Sequence, residues 1–220
     1  MSGPLEIDVI SDVMCPWCYV GKRKLETALA QRSDVDADIR WRPYQLDPTI
    51  PRAGMDRQEY LDRKFGRERA QSFYQTIKDA GTAVGIPFAF DRIEKSPNTL
   101  DAHRVIRWSA TGGVQDDVVE RLFHAYFVEG ADLTDKALLS DMAAAAGMDR
   151  EVVERLLAGN ADEDLVKREI GLAQQMGVQG VPCFILGNKY AVMGAQDPAI
   201  LVQAIDQVLA EANSEVLGVS

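Results

Sequence analysis

The sequence is short of cysteine, of basic charge and of long apolar runs, and each shortage removes a class of protein. It holds 3 cysteines in 220 residues, too few for the disulfide framework that staples a small secreted chain. Lys and Arg number 24 against 34 Asp and Glu, a formal net charge of -10, which repels phosphate backbones and leaves no basic stripe for nucleic acid. No apolar run approaches the length of a membrane span. The first residues, Met-Ser-Gly-Pro-Leu-Glu-Ile-Asp, lack the basic and apolar regions of a secretory signal. The expectation is a cytoplasmic protein with neither a nucleic-acid nor a membrane partner. What is present is an ordinary globular balance, 46% hydrophobic and 26% charged, in a chain long enough to bury its own core.

Two ends of the chain read as mixed strand and helix. Leu5, Ile7 and Val9 alternate with Glu6 and Asp8, the two-residue period of a strand. Tyr19 to Ala30 then carries Leu25, Ala28 and Leu29 at helical spacing, so a helix opens near residues 15–18. Val35, Ala37, Ile39 and Trp41 alternate again until Pro43, which completes a β-α-β unit whose strands are parallel. From about Gln58 the period is helical, through segments 98–110, 114–129, 135–146, 150–158 and 162–176. Glycines punctuate these segments, and Thr134 and Asp149 are placed to cap two of them. After Gly180 strands return, at Cys183 to Leu186 and Tyr190 to Met193 around a Gly187-Asn188 turn, and Asp197-Pro198 starts a last amphipathic helix. The order β-α-β, helices, β-β-α predicts an α/β protein, a thioredoxin-like fold with an inserted all-helical domain. Residues 1–48 and 164–220 form the thioredoxin-like part and 49–163 the insertion.

Cys15-Pro16-Trp17-Cys18 falls where the first strand hands over to a helix. The sulfur of Cys15 there faces unpaired N–H groups and the positive end of the helix dipole, which favour thiolate over thiol. A thiolate is the nucleophile of disulfide exchange, and a second cysteine one turn on can resolve the mixed disulfide. Cys15 is thus the expected attacker and Cys18, deeper and held protonated, the expected resolver. Pro16 fixes the start of the helix, and Trp17 is an expected exposed aromatic beside the attacking sulfur. A zinc site needs two more ligands, and Cys183, His103 and His124 do not supply a pair at metal spacing; no metal is expected. Val181-Pro182 precedes the third strand. This proline either simply enters the strand or, in a thioredoxin-like fold, is cis and faces the two cysteines, and the backbone of Val181 then pairs with a substrate peptide or with glutathione.

Three stretches together carry a family resemblance: Ser11 to Gly21 around the cysteines, Ser96 to Arg104, and Gly177 to Pro182. They resemble the FrnE-like branch of the DsbA oxidoreductases, which is similar in turn to 2-hydroxychromene-2-carboxylate isomerases and kappa-class glutathione transferases. The resemblance implies a thioredoxin domain with a helical insertion. The glutathione-using relatives usually carry serine where this chain has Cys15, so the presence of both cysteines favours dithiol chemistry.

Within the stretches that carry the resemblance, His103 and Asn98 are candidate groove residues; His103 either tunes the Cys15 thiolate or is a packed histidine. Gln196, in the Gly194 to Asp197 turn, matches the region that binds the glutamyl end of glutathione in those relatives, or belongs to an ordinary helix cap. Cys183 is either a small buried hydrophobe or a third redox partner. Lys and Arg of the insertion are interleaved with acids and read as solvated faces, so no basic clamp is assigned. Phe123, Tyr126 and Phe127 form a core stripe or a homodimer face, which leaves monomer and homodimer open.

The expected function is thiol-disulfide exchange, as a reductase or isomerase, with protein or small-molecule thiols and disulfides as partners. No cofactor is tightly bound, and glutathione is a candidate co-substrate. Dithiols of this kind span roughly -270 to -120 mV, and direction follows from where the centre falls. Two alternatives stand beside it: a glutathione-dependent isomerase or transferase acting on a small aromatic or polyketide-like molecule, and a non-catalytic peptide-binding or chaperone module.

Overall fold

The computed structural model describes residues 3–217, with 67–73 and 213–217 described by backbone alone. Strand β1 (Leu5–Ser11) leads into helix α1 (Pro16–Gln31) and strand β2 (Ala37–Pro43); strands β5 (Cys183–Leu186) and β6 (Tyr190–Met193) and helix α9 (Pro198–Leu217) close the chain. The four strands form one sheet in the order β2-β1-β5-β6. β1 is parallel to β2, with Leu5 opposite Ala37 and Ser11 opposite Pro43, and antiparallel to β5, with Ile10 opposite Cys183. This register decides where the site lies. The end of β1, the end of β2 and the start of β5 all fall at one edge of the sheet, so residues 12–15, 44–46 and 181–182 converge there.

Between β2 and β5 lie strand β3 (Met55–Asp56), helices α2 (Arg57–Phe65) and α3 (Arg67–Ala83), strand β4 (Lys95–Ser96), and helices α4 (Leu100–Ser109), α5 (Gln115–His124), α6 (Lys136–Ala145), α7 (Arg150–Ala158) and α8 (Glu163–Gln175). The insertion is therefore not built of helices alone. Met55 and Asp56 pair antiparallel with Ser96 and Lys95, a ladder of two residues per strand, too short to show a two-residue period in sequence. The cap of α6 also moves by one residue. Asp135 accepts from the Ala137 N–H, whereas the Thr134 hydroxyl is engaged by Asp132. Asp149 caps α7 through the Val152 N–H, as expected. Segment 114–129 divides into α5 and a π-helical turn over Ala125–Glu129. It stops at Gly130, whose φ of 76° and close approach to the Arg92 carbonyl exclude a side chain.

One apolar core joins the sheet to the insertion. Leu5, Ile7 and Val9 pack in the same cluster as Tyr19, Trp41, Phe123 and Phe127. Phe123, Tyr126 and Phe127 are fully buried, so that stripe is core. Tyr19 stacks on Phe123 with ring centres 5.0 Å apart, and Trp41 meets Phe123 edge-on at 6.2 Å. Such contacts contribute about 0.5–1.5 kcal/mol each beyond area burial. Beneath them Lys22, almost wholly buried, bonds Glu26 and lies 2.9 Å from Asp116 and 3.4 Å from Glu120, which offsets its desolvation. The second face of the sheet is covered by a smaller cluster of Ile10, Tyr44, Ala173, Val178 and Cys183. Among the described residues no helix is long and apolar enough to cross a membrane.

Candidate active site

Cys15 occupies the N-cap position of α1, in extended conformation, and Pro16 fills the first helical position, where its missing N–H costs nothing. The turn before it is closed by the Cys15 N–H donating to the Asp12 carbonyl at 2.9 Å. The Cys15 thiol donates to the Val181 carbonyl at 3.6 Å across the edge of the sheet. The Val181–Pro182 peptide is cis. Cys15 is 4% exposed and Cys18 not at all. Burial, and after it the contact with Cys15, pushes the Cys18 thiol well above its ordinary value, against the opposing influence of Ser11 and the Asp12 backbone. An inner thiol held neutral beside an outer sulfur at a helix N-terminus is the division of labour that disulfide exchange needs.

The outer sulfur opens into a groove of about 250 Å³ between α1, the 180–181 loop and helix α2, lined mostly by apolar groups such as Met14, Trp17, Leu46 and Tyr60. Trp17 lies in this wall half-buried rather than exposed, because its indole packs on the core. Two basic residues of α2, Arg57 and Lys64, also line the groove. The expectation that the basic residues of the insertion are all solvated is corrected at Arg57, which is buried.

Sequence reasoning passed over Asp12. Its carboxylate is fully buried directly before the cysteine turn. It accepts the Leu46 N–H at 2.7 Å and the Met14 N–H at 3.5 Å, and it lies 3.4 Å from Nε2 of His103. That nitrogen is 2.8 Å from the Tyr44 carbonyl. Because a carbonyl oxygen only accepts, Nε2 carries the proton and donates it. Asp12 thus ties the cysteine turn to the 44–46 segment and, through His103, to α4. The signal available in sequence was a lone carboxylate, beside Ser11, inside the mainly apolar run Val9 to Met14.

Of the remaining sequence candidates, Cys15, Trp17 and Val181 meet at the groove, with Pro182 directly behind, while His103, Asn98 and Gln196 are not among its lining residues. His103 borders a separate cavity of about 50 Å³. Asn98 donates to the Ile50 carbonyl at 2.7 Å and accepts the Leu100 N–H at 3.1 Å, starting α4. Gln196 donates to the Met193 carbonyl at 2.8 Å, and Asp197 accepts the Ala199 N–H at 2.9 Å at the head of α9. Cys183 alternates with Phe184 along β5 and packs in the smaller cluster, apart from the one that holds Cys15 and Cys18. Burial raises its thiol as well. Among the described residues no three His, Cys, Asp or Glu side chains are grouped as for a metal ion.

The fold has counterparts among solved structures. A probable DsbA oxidoreductase of Streptomyces coelicolor superposes with a TM-score of 0.84 at 29% identity, covering 94% of this chain and 91% of that one. A 2-hydroxychromene-2-carboxylate isomerase superposes at 0.64 with 19% identity, covering 96% and 98%. The cytosolic disulfide reductase DsbM of Pseudomonas aeruginosa, solved with GSH, superposes at 0.61 with 17% identity, covering 96% and 98%. These last two likenesses are of fold alone. In sequence, the profile of the DSBA-like thioredoxin domain matches residues 6–206. That span runs from β1 into α9 and takes in both cysteines, the Val181–Pro182 pair and the whole insertion, and the chain belongs to the DSBA-like thioredoxin domain family.

Proposed function

We propose that the chain is a thiol-disulfide oxidoreductase that works through the Cys15-Pro16-Trp17-Cys18 dithiol, as a reductase or isomerase in the cytoplasm. The observation that carries this reading is the pairing of an outer sulfur at the head of α1, facing the groove and the Val181 carbonyl, with an inner thiol fully buried and held neutral. In the reducing direction the Cys15 thiolate attacks a substrate disulfide, forms a mixed disulfide and releases one substrate thiolate. Cys18 then gives up its proton, attacks the Cys15 sulfur and releases the second thiolate. The substrate has gained two electrons, and the protein holds a Cys15–Cys18 disulfide that an external thiol such as glutathione reduces again. The Val181 backbone and Pro182 flank the mixed disulfide, and Trp17 covers it. Residues 1–48 and 164–220 supply the dithiol and the cis-proline, and residues 49–163 supply the far wall of the groove.

Equilibration with glutathione redox buffers, followed by thiol counting and tryptophan fluorescence, tests the proposal. The expected result is a reversible two-electron transition that disappears in Cys15→Ser and in Cys18→Ser. The second reading is the glutathione-dependent isomerase, favoured by the fold shared with the 2-hydroxychromene-2-carboxylate isomerase. It predicts no such transition, intact glutathione binding, and tolerance of Cys18→Ser.

A further inference from the structure

Arg57 is nine-tenths buried, yet among the described residues every side-chain partner it has is neutral. It donates to Ser96 Oγ at 3.2 Å, to the Tyr126 hydroxyl at 3.4 Å and to the Tyr74 hydroxyl, and its guanidinium lies 5.9 Å from the ring of Tyr60. A guanidinium does not give up its charge in proteins, and a desolvated charge is normally matched by an opposite one. Asp56, Asp91 and Glu94 line a neighbouring cavity of about 690 Å³ that Arg57 also borders, but among the described residues none of them forms an ion pair with it.

On its other side Arg57 borders the groove that holds Cys15. Lys64 stands two turns further along the same face of α2, its Nζ donating to the Leu46 carbonyl at 2.9 Å and lying 5.5 Å from the Tyr60 ring. Among the described residues no carboxylate lines this groove. In a chain with 34 Asp and Glu against 24 Lys and Arg, a reactive groove whose described lining holds two cations and no carboxylate is a local inversion of charge, with Asp12 and Asp47 acting on Tyr60 from outside that lining. The focusing of potential in an apolar cleft makes such an inversion selective.

We infer that Arg57, with Lys64, is the receptor for a carboxylate on the molecule whose sulfur meets Cys15, and that the site takes low-molecular-weight, carboxylate-bearing disulfides. The inference rests on the dithiol reading for its chemistry. In it the hydroxyls of Ser96, Tyr74 and Tyr126 hold the guanidinium in place, and the incoming carboxylate supplies a negative charge in direct contact with it through charge-assisted bonds. Arg57 then sets specificity, while the two cysteines carry out exchange.

The test uses the pre-reduced full chain in single turnover with three disulfides of like length: 3,3′-dithiodipropionate, its uncharged diamide, and cystamine. The expected order of second-order rate constants is dianion, then diamide, then dication. Arg57→Gln is expected to lower the rate for the dianion about tenfold more than for the diamide, the scale of one charge-assisted bond, with Arg57→Lys intermediate. Equal rates for the three disulfides in the native protein overturn the inference while leaving the dithiol reading intact. So does an equal loss for dianion and diamide in Arg57→Gln, which marks Arg57 as a purely structural tie. If no disulfide reacts, the dithiol reading fails, and binding of suberate, the dicarboxylate of the same length without sulfur, decides the matter by calorimetry. Binding that is lost in a folded Arg57→Gln supports the carboxylate receptor, and absence of binding in the native protein overturns it.

Discussion

Gly21 of α1 lies against Pro182: a β-carbon on residue 21 would stand 2.8 Å from Cγ of the proline and 3.1 Å from Cζ of Phe184. Residue 21 is three positions after Cys18, on the same face of the helix. The missing side chain is what lets α1 settle on the start of β5 and brings the Cys15 sulfur to the Val181 carbonyl.

Gly21→Ala sets two effects against each other. Removing a glycine from a helix interior stabilises by about 1 kcal/mol, while forcing a methyl into a filled contact costs about 1–3 kcal/mol. Pro182 and Phe184 are themselves buried, so the second effect wins. The expected outcome in urea unfolding is a net loss of up to about 2 kcal/mol, together with slower disulfide exchange as the sulfur is displaced from Val181. A variant that gains stability and exchanges at the native rate would show that the contact opens freely.

The inner thiol of the reduced protein is expected to resist ionisation. Cys18 is pushed well above its ordinary value, first by burial and then by Cys15, so at pH 8 iodoacetamide should label Cys15 and leave Cys18 unmodified until the chain unfolds. The same shift has a sign for stability. A neutral thiol is favoured in the folded state, so below the ordinary thiol pKa of about 8.5 nothing changes. Above it the unfolded chain ionises first, and the reduced protein loses stability by at most about 1.4 kcal/mol per pH unit per thiol. Cys183 is raised in the same direction, so Cys18→Ala and Cys183→Ala should each remove part of the alkaline slope. A slope unchanged in Cys18→Ala counts against a neutral inner thiol.

The Asp12 carboxylate joins three segments, through the Leu46 N–H, the Met14 N–H and His103. Asp12→Ala strips buried donors of their acceptor and is expected to cost about 3 kcal/mol or more. Because His103 also donates to the Tyr44 carbonyl, its loss and that of Asp12 should not add. A double-mutant cycle of Asp12→Ala with His103→Ala is expected to give a coupling of about 0.5–3 kcal/mol. Additive losses would mean that the carboxylate and the imidazole act separately.

The cysteine pair and the β-α-β and β-β-α ends were legible in sequence because their signals are local. Strand alternation, the C-x-x-C spacing and the Gly187-Asn188 turn each lie within a few residues. In sequence Arg57 is one more of the insertion's basic residues interleaved with acids, since nothing near it says that Ser96, Tyr74 and Tyr126 close over it. Asp12 was passed over for the same reason, its partners lying at Leu46 and His103. Asn98 and His103 illustrate the converse. They are candidate groove residues in sequence, with a packed histidine as the alternative for His103, and in the fold they bond to the start of α4 and to the 44–50 segment. The two-residue ladder of β3 and β4 had no periodic signal at all.

Phe123 is the place to ask whether the insertion folds with the sheet or apart from it. It lies on α5, stacks on Tyr19 of α1 and meets Trp41 of β2 edge-on, so it belongs to both halves of the core at once. Phe123→Ala removes a fully buried ring and is expected to cost about 3–5 kcal/mol. If the shared core makes folding one cooperative event, urea unfolding followed by tryptophan fluorescence, which samples Trp17, Trp41 and Trp108 of α4, and by far-ultraviolet circular dichroism, which samples the helices, should give one coincident transition in the native protein, and one in the variant at lower urea. Two separated transitions in the native protein would mean that the helical insertion and the sheet unfold as separate units in spite of the core they share at Phe123.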